Sequence, residues 1–212
     1  MGVQTMRSDV QSTYIAADAN AADADSVCTA EQLSGGGEQA IPIDGADASG
    51  GVATFTAARK ITVTAAGADG ARTVTVTGTD VDGNTQTEEI GVTASGVSTG
   101  TLYFRTVTAV TVDDDTASTL SVGMADDALD VVFGGRMRLR GLYLVHSDAA
   151  GNIAFRDGGA AAAIGLQLGT VASATATDSF QIRDSGVVFE NGAYLAYLVS
   201  APAFSSVTVF YS

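Results

Sequence analysis

The side chains that could support chemistry in this chain of 212 residues are few, and most of them are acidic. Asp80, Asp82 and Asn84 stand at positions 1, 3 and 5 of a calcium-loop spacing. The EF-hand loop also requires Gly at position 6 and a bidentate Glu at position 12, where this chain has Thr85 and Gly91. The pattern therefore predicts a hairpin turn, TDVDGN, rather than a calcium site.

A second acidic run joins Asp113, Asp114 and Asp115. Adjacent carboxylates repel one another, so the run is typical of a solvated turn, although it is also the loop in which a bound cation would be sought first. Cys28 is the sole cysteine, which excludes an intrachain disulfide or a cysteine metal cluster, and we expect a small buried apolar residue there. No metal-ligating residue and no cofactor is predicted.

Catalytic candidates are equally sparse. His146 is the sole histidine, and nothing in the sequence places a serine nucleophile on a strained turn beside it. With Asp148 two residues away, we predict a hydrogen-bonded histidine at the end of a strand. Glu88, Glu89 and Glu190 are the carboxylates considered for glycoside hydrolysis, but nothing in the sequence brings them together.

The glycine run at 35–37 follows no strand of a βαβ unit and precedes no helix, so it does not fit a phosphate-binding loop. Aromatic residues make up only 7% of the chain, which is low for a protein with a sugar-binding cleft. We therefore predict no catalytic residue, no cofactor-binding residue and no enzymatic activity.

The charge of the chain limits its partners. The net charge is −14, from 24 acids against ten bases, and phosphate contacts need clustered cations, so nucleic acid is not expected as a partner. Arg136, Arg138 and Arg140 share one strand face, which favours an ion-pairing or interface role. Residues 1–126 carry 17 acids and five bases, whereas residues 127–212 carry seven and five. We expect the acidic part to face solvent and the nearly neutral part to pack on a partner.

The elements that must position these residues are strands. From Arg59 to Val92 β-branched residues alternate with threonine around AGADGA and TDVDGN, a pattern that predicts strands joined by hairpins. In the run from Val107 to Val112 the apolar phase slips between Ala109 and Val110, which predicts a β-bulge. GLYLVH and AYLAYLV are apolar on both faces, as in central strands covered on both sides.

The predicted strands fall into two groups. In residues 28–126 we expect strands near 40–43, 52–56, 60–64, 72–78, 86–92, 101–104, 106–112 and 118–122. In residues 127–212 we expect a short strand within 125–135, then strands near 137–146, 152–156, 164–168, 179–183, 187–189, 193–199 and 206–211.

The fold class predicted is all-β, with two small antiparallel β-sandwich or jelly-roll-like domains, 28–126 and 127–212, after an extended N-terminal arm, 1–27. The arm is polar and biased to Ala and Asp, so alone it buries too little apolar surface to become ordered. It either folds along its own domain or is held by neighbouring subunits, and we favour the neighbours. A short helix within Ile15–Asp23 is the alternative, because alanine favours helices.

Three groups of residues carry a family resemblance. They are CTAEQLSGGGEQAIPIDGADASGGVATFTAARKITVTAAG with TVTVTGTDVDGNTQTEEI, then FRTVTAVTVDD, and then RGLYLVHSDAAGNIAFRDGG with VVFENGAYLAYLVSAPAFSSVTVFYS. Together they resemble β modules of tailed-bacteriophage virion proteins, especially those of marine phages. The resemblance implies a structural role in the virion and supplies no catalytic residues.

The function expected from this resemblance is that of a capsid decoration or cement protein, made in the host cytoplasm and carried in the virion. Its expected partners are the major capsid protein and copies of itself, as in a homotrimer, with neither nucleic acid nor membrane. The start of the chain shows no signal-peptide pattern, and no run approaches 18 apolar residues. The alternatives are a tail, fibre or nozzle component, and a glycan-binding β-module that uses loops near Tyr103 or Tyr194.

Overall fold

The computed structural model describes residues 9–69, 71–159, 162–173, 176–183 and 186–212. These residues form antiparallel strands and no helix, so the all-β prediction is confirmed for the described part of the chain. The strands are β1 Gln11–Ala16, β2 Asp23–Glu31, β3 Gln39–Ala40, β4 Ala48–Ser49, β5 Val52–Ala65, β6 Thr73–Thr79, β7 Thr85–Gly91, β8 Gly96–Val112, β9 Leu120–Phe133, β10 Met137–His146, β11 Gly151–Asp157, β12 Ile164–Thr170, β13 Thr177–Gln181, β14 Val187–Phe189, β15 Ala193–Leu198 and β16 Phe204–Tyr211.

The chain divides into two compact units. One consists of Asp18–Asp130 with Leu198–Ser200, and the other of Met1–Ala17, Val131–Tyr197 and Ala201–Ser212. The first contains 18 acids and four bases, and the second contains six acids and six bases, so the whole net charge of −14 belongs to the first. We call them the acidic unit and the neutral unit. Of the described residues, 9–17 belong to the neutral unit.

In the acidic unit, β5 pairs with β8 and β9, β8 pairs with β6, and β6 pairs with β7. Three shorter pairings join β2 to β9, β3 to β8 and β4 to β5. The alternation of valine and threonine in β6 buries Val74 and Val76 completely and leaves the threonines between them half-buried. These valines join a core that also contains Ile61, Phe104 and Leu120.

Of the two predicted hairpins between Arg59 and Val92, one is present. TDVDGN joins β6 to β7 as expected, but β5 and β6 both pair with β8, so AGADGA does not make a hairpin. The strands predicted at 52–56 and 60–64 form the single strand β5, those at 101–104 and 106–112 form β8, and the strand at 118–122 continues to Phe133 as β9. Long strands of this kind arise because bulges absorb the changes of phase that look like strand ends in the sequence.

The predicted bulge lies in β8, one residue before the expected place. Ala109 pairs with Thr77 and Val107 pairs with Gly78, so Thr108 is the extra residue. A Cβ at Gly78 would overlap the carbonyl oxygen of Thr106, which explains why glycine stands opposite the bulge.

In the neutral unit, β16 lies between β1 and β10, and β10 also pairs with β13 and β14. A second group pairs β11 with β12 and with β15. Strand β10 is central as predicted, but it is not covered on both faces, because Tyr143 is 42% exposed. The predicted two-sided burial holds better in β15, where Tyr194 and Leu195 are both buried.

Residues 11–16 of the predicted N-terminal arm form a strand, and no helix forms within Ile15–Asp23. All of β1, from Gln11 to Ala16, pairs with β16 of the same chain, as in the alternative that the arm folds along its own domain. The side chain of Thr13 also bonds the carbonyl oxygen of Val132 and the hydroxyl of Tyr211. The segment is ordered because β16 offers it a free edge, which satisfies its backbone polar groups.

Candidate functional site

His146 is the hydrogen-bonded histidine predicted at a strand end, and it is only 2% exposed. Its Nδ1 lies 3.1 Å from the carbonyl oxygen of Val171, and its Nε2 lies 2.8 Å from a carboxylate oxygen of Asp178. The partner is therefore Asp178, not the sequence neighbour Asp148. This arrangement occupies both nitrogens in tying the segments at 171 and 178 to β10.

Two of the three glutamates considered for hydrolysis, Glu88 and Glu190, have separate structural partners, and the third, Glu89, is exposed on β7. The carboxylate of Glu88 accepts hydrogen bonds from the backbone N–H of Thr101 at 2.5 Å, the hydroxyl of Thr101 at 2.8 Å and the backbone N–H of Leu102 at 3.3 Å. A side chain at Gly100 would collide with this carboxylate. Glu190 pairs with Arg136, with Oε2 2.5 Å from Nε. The carboxylates of Glu88 and Glu190 are thus each engaged inside their own unit.

The acidic run at 113–115 and the glycine run at 35–37 meet, which the sequence did not indicate. Asp115 accepts hydrogen bonds from the N–H of Gly36 at 2.6 Å and from the side-chain amide of Gln39 at 2.9 Å. Asp114 accepts from the N–H of Gly37 at 3.1 Å and from the N–H of Asp115. These backbone bonds hold the pKa of Asp114 below its ordinary value. The acidic run therefore holds the loop at 35–37 in place through hydrogen bonds and is not a simple solvated turn. We call this contact the clamp.

The TDVDGN segment is a closed turn. One carboxylate oxygen of Asp80 accepts the N–H of Asp82 at 2.9 Å and the N–H of Asn84 at 2.8 Å, and Gly83 has a positive φ of 85°. Asp80 thus caps its own loop, as aspartate commonly does in turns. Among the described residues, no group of three or more His, Cys, Asp or Glu side chains is placed to hold a metal ion.

Two buried groups in the acidic unit were not identified from the sequence. Arg59 is completely buried, donates hydrogen bonds to the carbonyl oxygens of Asn20, Ala125 and Asp126, and lies 3.5 Å from the carboxylate of Asp18. The burial of Arg59 could not be foreseen from the sequence, because an arginine within a strand is usually exposed.

The second group is Asp69, which is 2% exposed. Its carboxylate accepts the N–H of Ala117 at 2.5 Å, the N–H of Ser118 at 3.2 Å and the hydroxyl of Ser118. This aspartate lies in AGADGA, and it anchors that connection to the loop before β9.

Burial raises the pKa of Cys28 to about 12, so the thiol is an inert core residue, as predicted.

The acidic unit has an open recess of about 400 Å³ lined by residues 19–23, Ala46, Asp47 and Met124. Its titratable groups are two carboxylates, on Asp23 and Asp47. The neighbouring Asp25 has its pKa raised because its carboxyl shares a hydrogen bond with Asp23. The rest of the lining is the amide of Asn20 and the apolar side chains of alanines and Met124, so no cationic side chain faces the recess.

The two tyrosines proposed for glycan binding are buried and lie in strands rather than loops. Tyr103 is 8% exposed, with Lys60 Nζ 5.3 Å from its ring centroid, and Tyr194 is 4% exposed. Neither ring can stack on a sugar. The exposed aromatic side chains lie instead in the neutral unit, where Tyr14 is 67%, Tyr143 42% and Phe210 37% exposed.

The three arginines of the sequence cluster lie at the start of β10, with Arg136 just before the strand and Arg138 and Arg140 within it. Arg136 forms the exposed ion pair with Glu190, and its pKa is raised by that contact. Arg140 donates a hydrogen bond to the hydroxyl of Ser212 at 3.0 Å, and the backbones of Arg138 and Ser212 bond each other. The ion-pairing prediction is therefore confirmed for Arg136.

Comparisons with known proteins give no relative. No protein-family model, curated protein or solved structure matches this chain. Within the residues that the structure describes, there is no helix with the length and apolarity needed to cross a membrane.

Proposed function

We propose that this chain is a structural protein of a virion, a decoration or cement protein on the head of a tailed bacteriophage. The observation that carries the proposal is the separation of charge, with the net charge of −14 in the acidic unit and none in the neutral unit. A protein that coats a particle in many copies needs one region that packs without burying unpaired charge and another that stays hydrated. The sequence resemblance to phage virion modules supports the same role.

The engagement of the reactive side chains also supports a passive mechanism. His146, Glu88, Asp69 and Asp115 each bond groups of the chain itself, and these bonds tie loops and strands together. In the proposed mechanism the neutral unit packs over joints between shell subunits, and each copy adds buried area to a joint. Many weak attachments then stabilise the shell by mass action and avidity.

The copy number of this chain in purified particles tests the proposal. The particles would come from the phage whose genome encodes this sequence, and quantitative mass spectrometry would give the ratio of this chain to the major capsid protein. A ratio on the order of hundreds of copies per particle supports decoration of the shell, where symmetry repeats each site many times. About six to a few dozen copies would indicate a tail or vertex component instead. Absence of the chain from the particles would overturn the virion role.

A further inference from the structure

The outer face of the four-stranded sheet β1–β16–β10–β13 in the neutral unit carries no charged side chain over three successive rows. The middle row runs across the strands through Tyr14, Thr208, Tyr143 and Ser179, which are direct cross-strand partners. Partners in register project from the same face, as do positions two residues away along each strand. The flanking rows therefore hold small, hydroxyl, amide or apolar side chains, with Phe210 the largest.

Three aromatic side chains stand together on this face. Tyr14, Phe210 and Tyr143 lie on three adjacent strands, and Phe210 is diagonal to both tyrosines in the register. All three are more than a third exposed. Tyrosine and phenylalanine concentrate at the centres of protein interfaces, where they bury much area at small cost in side-chain entropy. Such a cluster is unusual on a chain with 7% aromatic residues.

We propose that this face is an interface between two copies of this chain, packed sheet against sheet. Charge selects the second copy as the occupant. In a homotypic contact the same patch of each copy meets the other, so a face of mostly one charge sign repels itself, and the acidic unit with 18 acids against four bases is unsuited to it. The three uncharged rows allow the contact, and the arginines of β10 lie beyond them at one end, as on a polar rim.

Area sets the expected strength. Three rows take about six residues of each strand. With about 3.4 Å per residue and four strands about 4.8 Å apart, the flat footprint is about 400 Å². The projecting aromatic side chains raise the accessible area above this value, towards the lower end of specific protein interfaces, about 600 Å² per partner. We therefore expect a dimer with a dissociation constant in the micromolar range, which becomes effective where many copies are held on one particle.

The contact does not depend on the virion role, so the two can fail separately. The test is sedimentation velocity of the purified full chain, 21.3 kDa, from about 1 to 200 μM, a range that brackets micromolar dissociation constants. The wild type should shift from monomer to dimer across this range. Tyr143→Asp places a carboxylate in the centre of both copies and should weaken association by at least about tenfold. Tyr14→Ser, at an exposed position on the edge strand, should weaken it less and has the least effect on folding.

Val97→Asp is the matched control, because Val97 is 58% exposed on β8 in the acidic unit and receives the same new charge. It should dimerise like the wild type. A wild type that stays monomeric at 200 μM, or a dimer that Tyr143→Asp leaves intact, would overturn the proposal. So would a monomer that binds a glycan array and loses that binding in Tyr143→Asp, since the face would then belong to a sugar.

Discussion

The acidic unit and the neutral unit put their charged side chains to different uses. In the acidic unit, Arg59, Asp69 and Glu88 reach into the chain and bond backbone groups of distant segments. In the neutral unit, the Arg136–Glu190 pair is exposed, and the sheet face that holds Tyr143 is uncharged. The difference teaches that an excess of acid need not mark a catalytic or metal site. Backbone N–H groups in irregular loops have no neighbouring strand to bond. Here many of the carboxylates accept hydrogen bonds from those groups instead.

Among substitutions that remove these buried side-chain bonds, the largest loss of stability is expected at Arg59. Arg59→Met removes three hydrogen bonds to carbonyl oxygens and leaves the buried carboxylate of Asp18 without its ion pair. Loss of one partner of a buried pair costs about 3–5 kcal/mol. Urea unfolding should show this loss, and hydrogen exchange should place it in peptides of the acidic unit.

Lys60→Met is the control for Arg59, because Lys60 is the next residue and forms a partly exposed ion pair with Asp127 at 3.3 Å. An exposed pair contributes at most about 1 kcal/mol. Equal losses of stability in the two variants would show that burial of Arg59 is not what holds the segment at 18–20.

The second effect concerns the anchor in AGADGA. Asp69→Ala leaves the N–H groups of Ala117 and Ser118 without their acceptor, and a hydrogen bond to a charged group contributes about 1.5–3 kcal/mol. Asp69→Asn keeps the shape and one acceptor oxygen, so its loss in urea unfolding should be smaller. If Asp69→Asn and Asp69→Ala lower the free energy of unfolding equally, the negative charge of Asp69, rather than its acceptor geometry, holds the loop.

The third effect tests whether the neutral unit also depends on a buried polar bond. His146→Phe fills the same space but loses the bonds to Val171 and Asp178, with an expected cost of about 1–3 kcal/mol. Hydrogen exchange should accelerate in the segments at 171–173 and 176–181. Asp178→Asn, at a half-exposed carboxylate, keeps an acceptor and should have the smaller effect. Unchanged exchange in His146→Phe would leave the pairing of β10 with β13 as the whole support of that edge.

Much of the fold follows from the sequence, because strand formation depends on local alternation. The bounds of β10 and β14 were predicted to the residue, and the TDVDGN turn and the bulge in β8 follow from turn chemistry and phase. The pairing of β5 with β8 instead of β6 could not be predicted, since strand order depends on contacts far apart in the chain. The strand β1 was missed for the same reason: Gln11–Ala16 lies in a largely polar segment, and only the pairing with the edge of β16 makes it a strand.

The candidate sites were less predictable than the fold. The sequence identified Asp113–Asp115 and the glycines at 35–37 separately, but their contact joins residues more than 70 positions apart. Burial of Tyr103 and exposure of Tyr143 depend on which face of each sheet is covered, and the apolar pattern of GLYLVH does not reveal it. The uncharged face appears only when β1, β16, β10 and β13 are placed side by side.

The smallest expected effect is a pH dependence confined to the acidic unit. The pKa of Asp114 is lowered because its carboxylate accepts backbone N–H groups of Asp115 and Gly37, and the pKa of Asp44 is lowered by the N–H and hydroxyl of Thr29. A carboxyl with a lower pKa in the folded state contributes stability that is full above its unfolded pKa and is lost as the pH falls through the folded value. Acid below about pH 4 should therefore loosen the loop at 35–37. Asp114→Asn should flatten this dependence in hydrogen exchange at Gly36 and Gly37, whereas peptides of the neutral unit should respond to acid alike in both proteins. Parallel curves for the wild type and Asp114→Asn at residues 36 and 37 would mean that Asp115, not Asp114, holds the clamp.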